Sequence, residues 1–158
     1  MANLNLLRVD ERLIHGQIVT SWVARSKADT ILIADNLVPD DELQCDLLAM
    51  ATPPGIELKI FSVRDAVSWI NRQSDACVLL LVKTPMVVNE LIAEGLEISE
   101  INVGNMGSKN GRAKYATTLW LTEEEKKEFH KLINNGKKVS LQVLPTDSPV
   151  DVSVLLQK

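Results

Sequence analysis

Apolar and polar positions alternate along the chain in blocks that carry two different periods. Residues 4–9 are mostly apolar and read as a strand, whereas Ile18, Val19, Trp22 and Val23 recur at helical spacing and predict a helix with a core-facing stripe. Residues 30–34, Thr-Ile-Leu-Ile-Ala, form a short apolar strand ended by Asp35 and Asn36. Pro39 then suits a first helical position, Asp40, Asp41 and Glu42 suit the turn after it, and Leu43, Leu47, Leu48 and Ala51 supply that helix's apolar face. Pro53-Pro54-Gly55 stops it, and residues 56–61 predict a third strand. Ser62 suits an N-cap before the stripe Ala66, Val67 and Ile70. Residues 78–82, Val-Leu-Leu-Leu-Val, predict a central strand buried on both faces. Thr84 and Pro85 open the next helix, which carries Val87, Val88, Leu91 and Ile92 and closes at Gly95. Residues 100–103 read as a strand, 104–111 as a glycine-bearing loop, and 117–121 as a strand. Thr122 and Glu125 form a capping box ahead of Phe129, Leu132 and Ile133. Gly136 closes that helix, residues 138–143 form the last strand, and 150–156 predict a short terminal helix.

Strands and helices therefore alternate through about seven strands. That pattern predicts an α/β protein: a single open, mostly parallel twisted sheet with helices on both faces, spanning residues 1–158 as one domain. Such sheets bind ligands beyond the carboxyl ends of their strands. The site is thus expected among the loops at 10–16, 35–36, 83–84 and 104–107.

Composition narrows the picture. A net charge of −4 argues against nonspecific nucleic-acid binding. Cys45 and Cys77 fit no metal-ligand spacing, and Cys77 lies in an apolar run where a reduced buried thiol is expected. Arg8, Asp10 and Glu11 follow too soon after the start for a signal peptide, and no apolar run approaches the roughly 20 residues that span a bilayer. A cytoplasmic protein is expected.

The densest chemistry lies in Arg8-Val9-Asp10-Glu11-Arg12-Leu13-Ile14-His15-Gly16-Gln17. This stretch runs from the first strand into the first helix, so His15 falls where free backbone N–H groups and a partial positive charge favour an anion. A neutral imidazole nitrogen can attack phosphorus. Arg8 and Arg12 can hold the equatorial oxygens, and N–H groups near Gly16 and Gln17 can add to them. Arginine charge would also hold the His15 pKa down. Asp10 could orient the ring or an arginine, whereas Glu11 has no evident role. A capping or packing histidine, with surface arginines paired to Asp10 and Glu11, is the competing reading. A metal site at His15, Asp10 and Glu11 is a poorer one, because two arginines would oppose the cation. His130 lies in a charged helix and receives no function, Thr84-Pro85 reads as a helix cap, and the three tryptophans read as packing groups.

The same ten residues closely resemble the active-site segment of the IIB components of the mannose/fructose/sorbose family of the bacterial sugar phosphotransferase system. Lys83-Thr84-Pro85 and Ile101-Asn102-Val103-Gly104-Asn105-Met106 resemble that family's later segments. The resemblance implies that His15 accepts a phosphoryl group, at ring Nδ1, from a phosphohistidine on a IIA component. It further implies transfer to a sugar held by the membrane components IIC and IID, near which the chain would work at the inner face of the membrane. Arg12 and the loop amides would hold the group, with Arg8 and Asp10 in the same site and no cofactor besides the phosphoryl group itself. The implied fold is a mostly parallel seven-stranded sheet with one antiparallel strand near an edge. Where many relatives carry a histidine or another polar residue after the Asn-Met pair, this chain has Gly107. The alternatives are a module that binds a phosphorylated metabolite without a covalent step, and a regulatory relative.

Overall fold

The computed structural model describes residues 2–73 and 75–157. Its strands are β1 (Asn3–Asp10), β2 (Thr30–Ala34), β3 (Glu57–Phe61), β4 (Cys77–Val82), β5 (Glu100–Asn105), β6 (Ala113–Ala116), β7 (Leu119–Leu121), β8 (Lys138–Leu141) and β9 (Val150–Asp151). Its helices are α1 (Gly16–Ser26), α2 (Glu42–Ala51), α3 (Val63–Arg72), α4 (Pro85–Ala93), α5 (Glu123–Asn134) and α6 (Val152–Leu155). Seven strands form one sheet in the order β3-β2-β4-β1-β5-β8-β9, parallel except for β9 at the edge.

Crossover handedness assigns the helices to faces. From β1 the chain steps outward to β2 and β3, then returns through β4 to β5 and β8. Right-handed connections place outward-stepping helices on one face and returning helices on the other. Accordingly, α1 and α2 bury Val19, Trp22 and Leu48 against Ile31, Ile33, Leu79 and Leu81. On the opposite face α3, α4 and α5 bury Val67, Leu91 and Phe129 against Leu32, Leu80 and Val103. The run 78–82 is fully buried on both faces, as its continuous hydrophobicity predicts.

Beside α1, β5 and β8 line a recess with polar residues, Asn102 from β5 and Ser140 from β8, while Gln142 follows β8 on that side. Trp22 and Arg25 wall this recess from the α1 side.

Most local signals act as expected. Ser62, Thr84 and Thr122 cap α3, α4 and α5 through Asp65, Val87 and Glu125 amides, the last as a full capping box. Three expectations need correction. Pro39 sits in a 3-10 turn (Val38–Asp40), and α2 begins only at Glu42, capped by Asp41. The inward face of α2 runs through Cys45 and Leu48, so Leu43, Leu47 and Ala51 point outward. Residues 117–121 do not join the main sheet. They lie in and beside a separate antiparallel hairpin of β6 and β7, and the seventh strand of the main sheet is β9, formed from the start of the segment read as a terminal helix.

Candidate functional site

The strand order reverses at β1, which lies between β4 and β5. A connection leaving the carboxyl end of that central strand is where an open sheet builds its site. The loop from β1 to α1 leaves at Asp10, so its anchor is braced on both sides.

Arg8 and Asp10 point to the same face because strand side chains alternate. Both are fully buried, at 2% and 0% exposure. The Arg8 guanidinium donates to Asn102 Oδ1, to the Gln142 carbonyl at 2.8 Å and to the Val143 carbonyl at 3.0 Å. Its carbon lies 4.8 Å from the centre of the Trp22 ring, and the Trp22 indole N–H donates to the same Val143 carbonyl. Burial lowers the Arg8 pKa to about 10, with Asp10 opposing and Arg12 adding to the effect, so the group stays charged at neutral pH. Gly104 is required here: a β-carbon at that position would overlap the Arg8 guanidinium.

Asp10 organises the loop. Its Oδ1 accepts from the Arg12 amide at 3.0 Å and from Arg12 Nε at 3.4 Å, while its carbonyl accepts from the Leu13 amide at 2.9 Å. Leu13 takes the left-handed conformation, φ 58°, which costs a non-glycine residue about 1 kcal/mol or more. Burial of Leu13 and Ile14 in the core beneath α1 offsets that strain. Gly16 is also left-handed, φ 49°, with open space where a β-carbon would stand, so it serves the backbone turn rather than a close contact.

His15 occupies the N-cap of α1 without capping it through its side chain. Neither ring nitrogen has a hydrogen-bond partner among the described residues, and Asp10 Oδ2 is likewise unpartnered. That oxygen lies 3.7 Å from His15 Nε2 and 3.7 Å from Arg8 Nη2. The His15 pKa is held below the ordinary histidine value, first by burial; Arg12 and Arg8 add to the lowering, while Asp10 and the Leu13 carbonyl oppose it. The direction is the expected one, but burial outweighs the arginine charge. The first turn of α1 contains no acidic side chain, and Gly16 and Gln17 lie exposed at its start. Arg12 keeps nearly half of its side chain in solvent.

Glu11, which the sequence left without a role, fastens this loop to the one after β5. Its amide donates to the Asn105 carbonyl at 3.1 Å, and its Oε1 accepts from the Gly107 amide at 2.5 Å and from Arg112 Nη1 at 2.8 Å. Arg112 also donates to the Gly107 carbonyl and forks onto Glu125 at 2.9 and 2.7 Å. Lys109 reaches the other Glu11 oxygen at 3.1 Å. Burial raises the Glu11 and Glu125 pKa values, but the Arg112 hydrogen bonds and the other donors outweigh it and hold both carboxylates low. Sequence reading placed Glu125 only in the capping box and missed Arg112 and its pairing with both glutamates. The available signal was the capping box, since its glutamate sits in a position to accept a second donor.

Arg112→Met would leave Glu125 without its ion-pair partner and Glu11 with Lys109 alone as a charged partner. The expected loss is about 3 kcal/mol, the scale for removing one partner of a buried ion pair. Urea unfolding measures it, and a change below about 0.5 kcal/mol, the range of ordinary surface substitutions, would contradict the clamp.

The other anticipated loops serve structure. Asp35 Oδ1 accepts from the Leu37 and Val38 amides, Asn36 bonds to Val63 and Glu90, and Thr84 caps α4. Among the described residues, no group of three or more His, Cys, Asp or Glu side chains could hold a metal ion, and no helix is long and apolar enough to cross a membrane.

Fold and site together define an open α/β protein with an unpartnered histidine at a helix N-terminus, backed by a buried carboxylate and an exposed arginine. Such a class is suited to handling phosphoryl groups. Residues 4–158 match the family described as PTS system sorbose subfamily IIB component. The chain is 35% identical over 157 residues to the N-acetylgalactosamine-specific phosphotransferase enzyme IIB component 2 of Escherichia coli (strain K12), covering 99% of this chain and 100% of that protein. It is 33% identical to the sorbose-specific EIIB component of Lacticaseibacillus casei, covering 94% and 92%. The crystal structure of the IIBSor domain of the sorbose permease from Klebsiella pneumoniae superposes with a TM-score of 0.92 at 28% identity, over 98% of this chain and 96% of that one. The chain therefore belongs to the sorbose-type IIB family of the sugar phosphotransferase system. Members are phosphotransferase components that act in sugar uptake with IIA and membrane IIC and IID components.

Proposed function

We propose that this chain is a phosphohistidine carrier that takes a phosphoryl group from a IIA component onto His15 and passes it to a sugar bound by IIC and IID. The observation that carries the reading is the His15 ring: both nitrogens lack hydrogen-bond partners among the described residues, Asp10 Oδ2 stands beside one of them, and the α1 N-terminus begins at the next residue.

The chemistry follows from that placement. A carboxylate near Nε2 favours the tautomer that carries its proton there, which leaves the lone pair on Nδ1. Nδ1 attacks phosphorus, a new N–P bond forms, and the N–P bond of the donor phosphohistidine breaks. The donor ring, protonated on its other nitrogen, leaves as neutral imidazole. The accepting ring gains positive charge, which the Asp10 carboxylate stabilises without taking the proton. Arg12 and the amides around Gly16 and Gln17 hold the phosphoryl oxygens, where charge accumulates in a loose transition state. Arg8 acts from behind, as the buried counter-ion of Asp10, rather than as a ligand at the surface. Because both ring nitrogens are shielded, the ring turns outward on meeting the donor; it has no hydrogen bond to break in doing so. No cofactor beyond the phosphoryl group enters this scheme.

The test is intact mass after incubation with phosphoenolpyruvate, enzyme I, the carrier HPr and a mannose-family IIA. A gain of one acid-labile phosphoryl group is expected. If an active IIA transfers none, and a sugar phosphate binds as well to His15→Ala as to the native chain, the non-covalent reading replaces this one.

A second expectation concerns pH. His15 should titrate below the ordinary value of 6.5, since burial disfavours its charged form. The unfolded chain then binds the proton more readily, so His15 lowers stability as pH falls below 6.5 and leaves it unaffected above. Proton NMR titration reads this directly, with His130→Gln assigning the two imidazole signals. A midpoint above 6.5 would mean that Asp10 outweighs burial.

A further inference from the structure

Helix α2 exposes a row of large apolar side chains that the carrier scheme does not use. Leu43, Leu47 and Met50 recur at helical spacing along its outer side and are 70%, 56% and 82% exposed, and Leu37, just before the 3-10 turn, is 81% exposed. The charge along this segment has one sign: Asp40, Asp41, Glu42 and Asp46 are all exposed, and the chain has no lysine or arginine between Lys27 and Lys59. The inner side of the same helix, through Leu48, shares a core with Leu13 and Ile14 of the His15 loop. The ledge therefore stands on the element that braces the reacting loop.

We infer that this acidic-rimmed apolar ledge docks the chain onto the cytoplasmic face of its membrane-embedded partner. The inference deepens the carrier reading, on which it rests. Charge decides among the occupants. Cytoplasmic loops of membrane proteins carry an excess of lysine and arginine, so an apolar site there has a basic rim that complements this one. A second copy of the chain would set acid against acid. A bare anionic bilayer would repel the rim for the same reason. The ledge is also of a size for an interface anchor, since three or four large apolar side chains in a row form the sort of central patch on which a docking surface depends.

The test uses the full chain and inverted membrane vesicles containing the IIC and IID components of a sorbose-type system, against matched vesicles lacking them. The native chain should sediment with the loaded vesicles and not the empty ones, less so as salt rises. Leu43→Glu/Leu47→Glu should accept phosphate from IIA within about twofold of the native rate. Its apparent KM in sugar phosphorylation should rise about tenfold or more, the effect of losing roughly 1.4 kcal/mol of docking. Glu42→Lys/Asp46→Lys should shift in the same direction. The inference is overturned if the double glutamate variant loses phosphate acceptance while remaining folded, which would assign the ledge to the donor. Unchanged KM, binding to empty vesicles, or a concentration-dependent dimer abolished by the variant would overturn it as well. A native chain that sediments with loaded vesicles but phosphorylates no sugar would count against the carrier reading and leave the docking in place.

Discussion

A chain carrying His15→Ala is expected to acquire no phosphoryl group at all under conditions that load the native protein. The substitution removes the acceptor atom, and nothing near it can stand in. Asp10 Oδ2 is buried and faces Arg8, and the Arg12 guanidinium has no lone pair to offer. The fold should barely respond. The His15 side chain makes no hydrogen bond that the loop would lose, so the cost should stay near 1 kcal/mol, a shift of about 2–4 °C in Tm for a chain of this size. Intact mass and a thermal melt of the same sample separate the two quantities. A phosphoryl group still found on His15→Ala would sink the assignment. His130→Ala, on the surface of α5, should load normally.

Arg8→Met is expected to have the largest effect on stability, about 3–5 kcal/mol, the range for breaking a buried ion pair from one side. Methionine fills much of the volume but supplies no donors. Asn102 Oδ1 and the Gln142 and Val143 carbonyls would lose their partner, and Asp10 would keep only Arg12 among its two neighbouring arginines. Arg8→Lys should also destabilise, because a single ammonium cannot reach acceptors spread around a planar fork. Urea unfolding gives the magnitudes. Phosphate acceptance, measured where the variant is still folded, gives the role. If Arg8 instead gripped the phosphoryl group at the surface, the variant would load slowly while unfolding like the native chain.

This contrast shows where the sequence was legible. Apolar runs such as 30–34 and 78–82 announce buried strands because a strand covered on both faces has no polar position to spare. The loop at 10–16 announces the site because one short junction holds a histidine, carboxylates and arginines together. Arg8 was harder to place. Charge alone suggests a surface group, whereas its position in a strand flanked by β4 and β5 requires burial. That neighbourhood follows only from strand order. Arg112 and Glu11 are 101 residues apart in the chain, and no local period links them. The outward turn of Leu43 and Leu47 was missed because a helix with apolar residues on two sides has two candidate core faces, and only packing into the cluster that also holds Val38 and Leu13 chooses Leu48. The β6–β7 hairpin and β9 are short, with four, three and two residues, too brief for an alternating pattern to register.

The contact between Gly104 and Arg8 has a consequence for how such a chain can change over generations. A methyl group added at position 104 would displace the guanidinium, and with it the support beneath Asp10. An isolated Gly104→Ala is therefore a dead end, as is an isolated loss of Arg8. Only a lineage that shortens residue 8 and finds another cation for Asp10 can cross between the two states, so the positions are tied although 96 residues separate them in the chain. Sequence drift should run freely along the outer side of α2 wherever no partner presses on it, and stall at this pair.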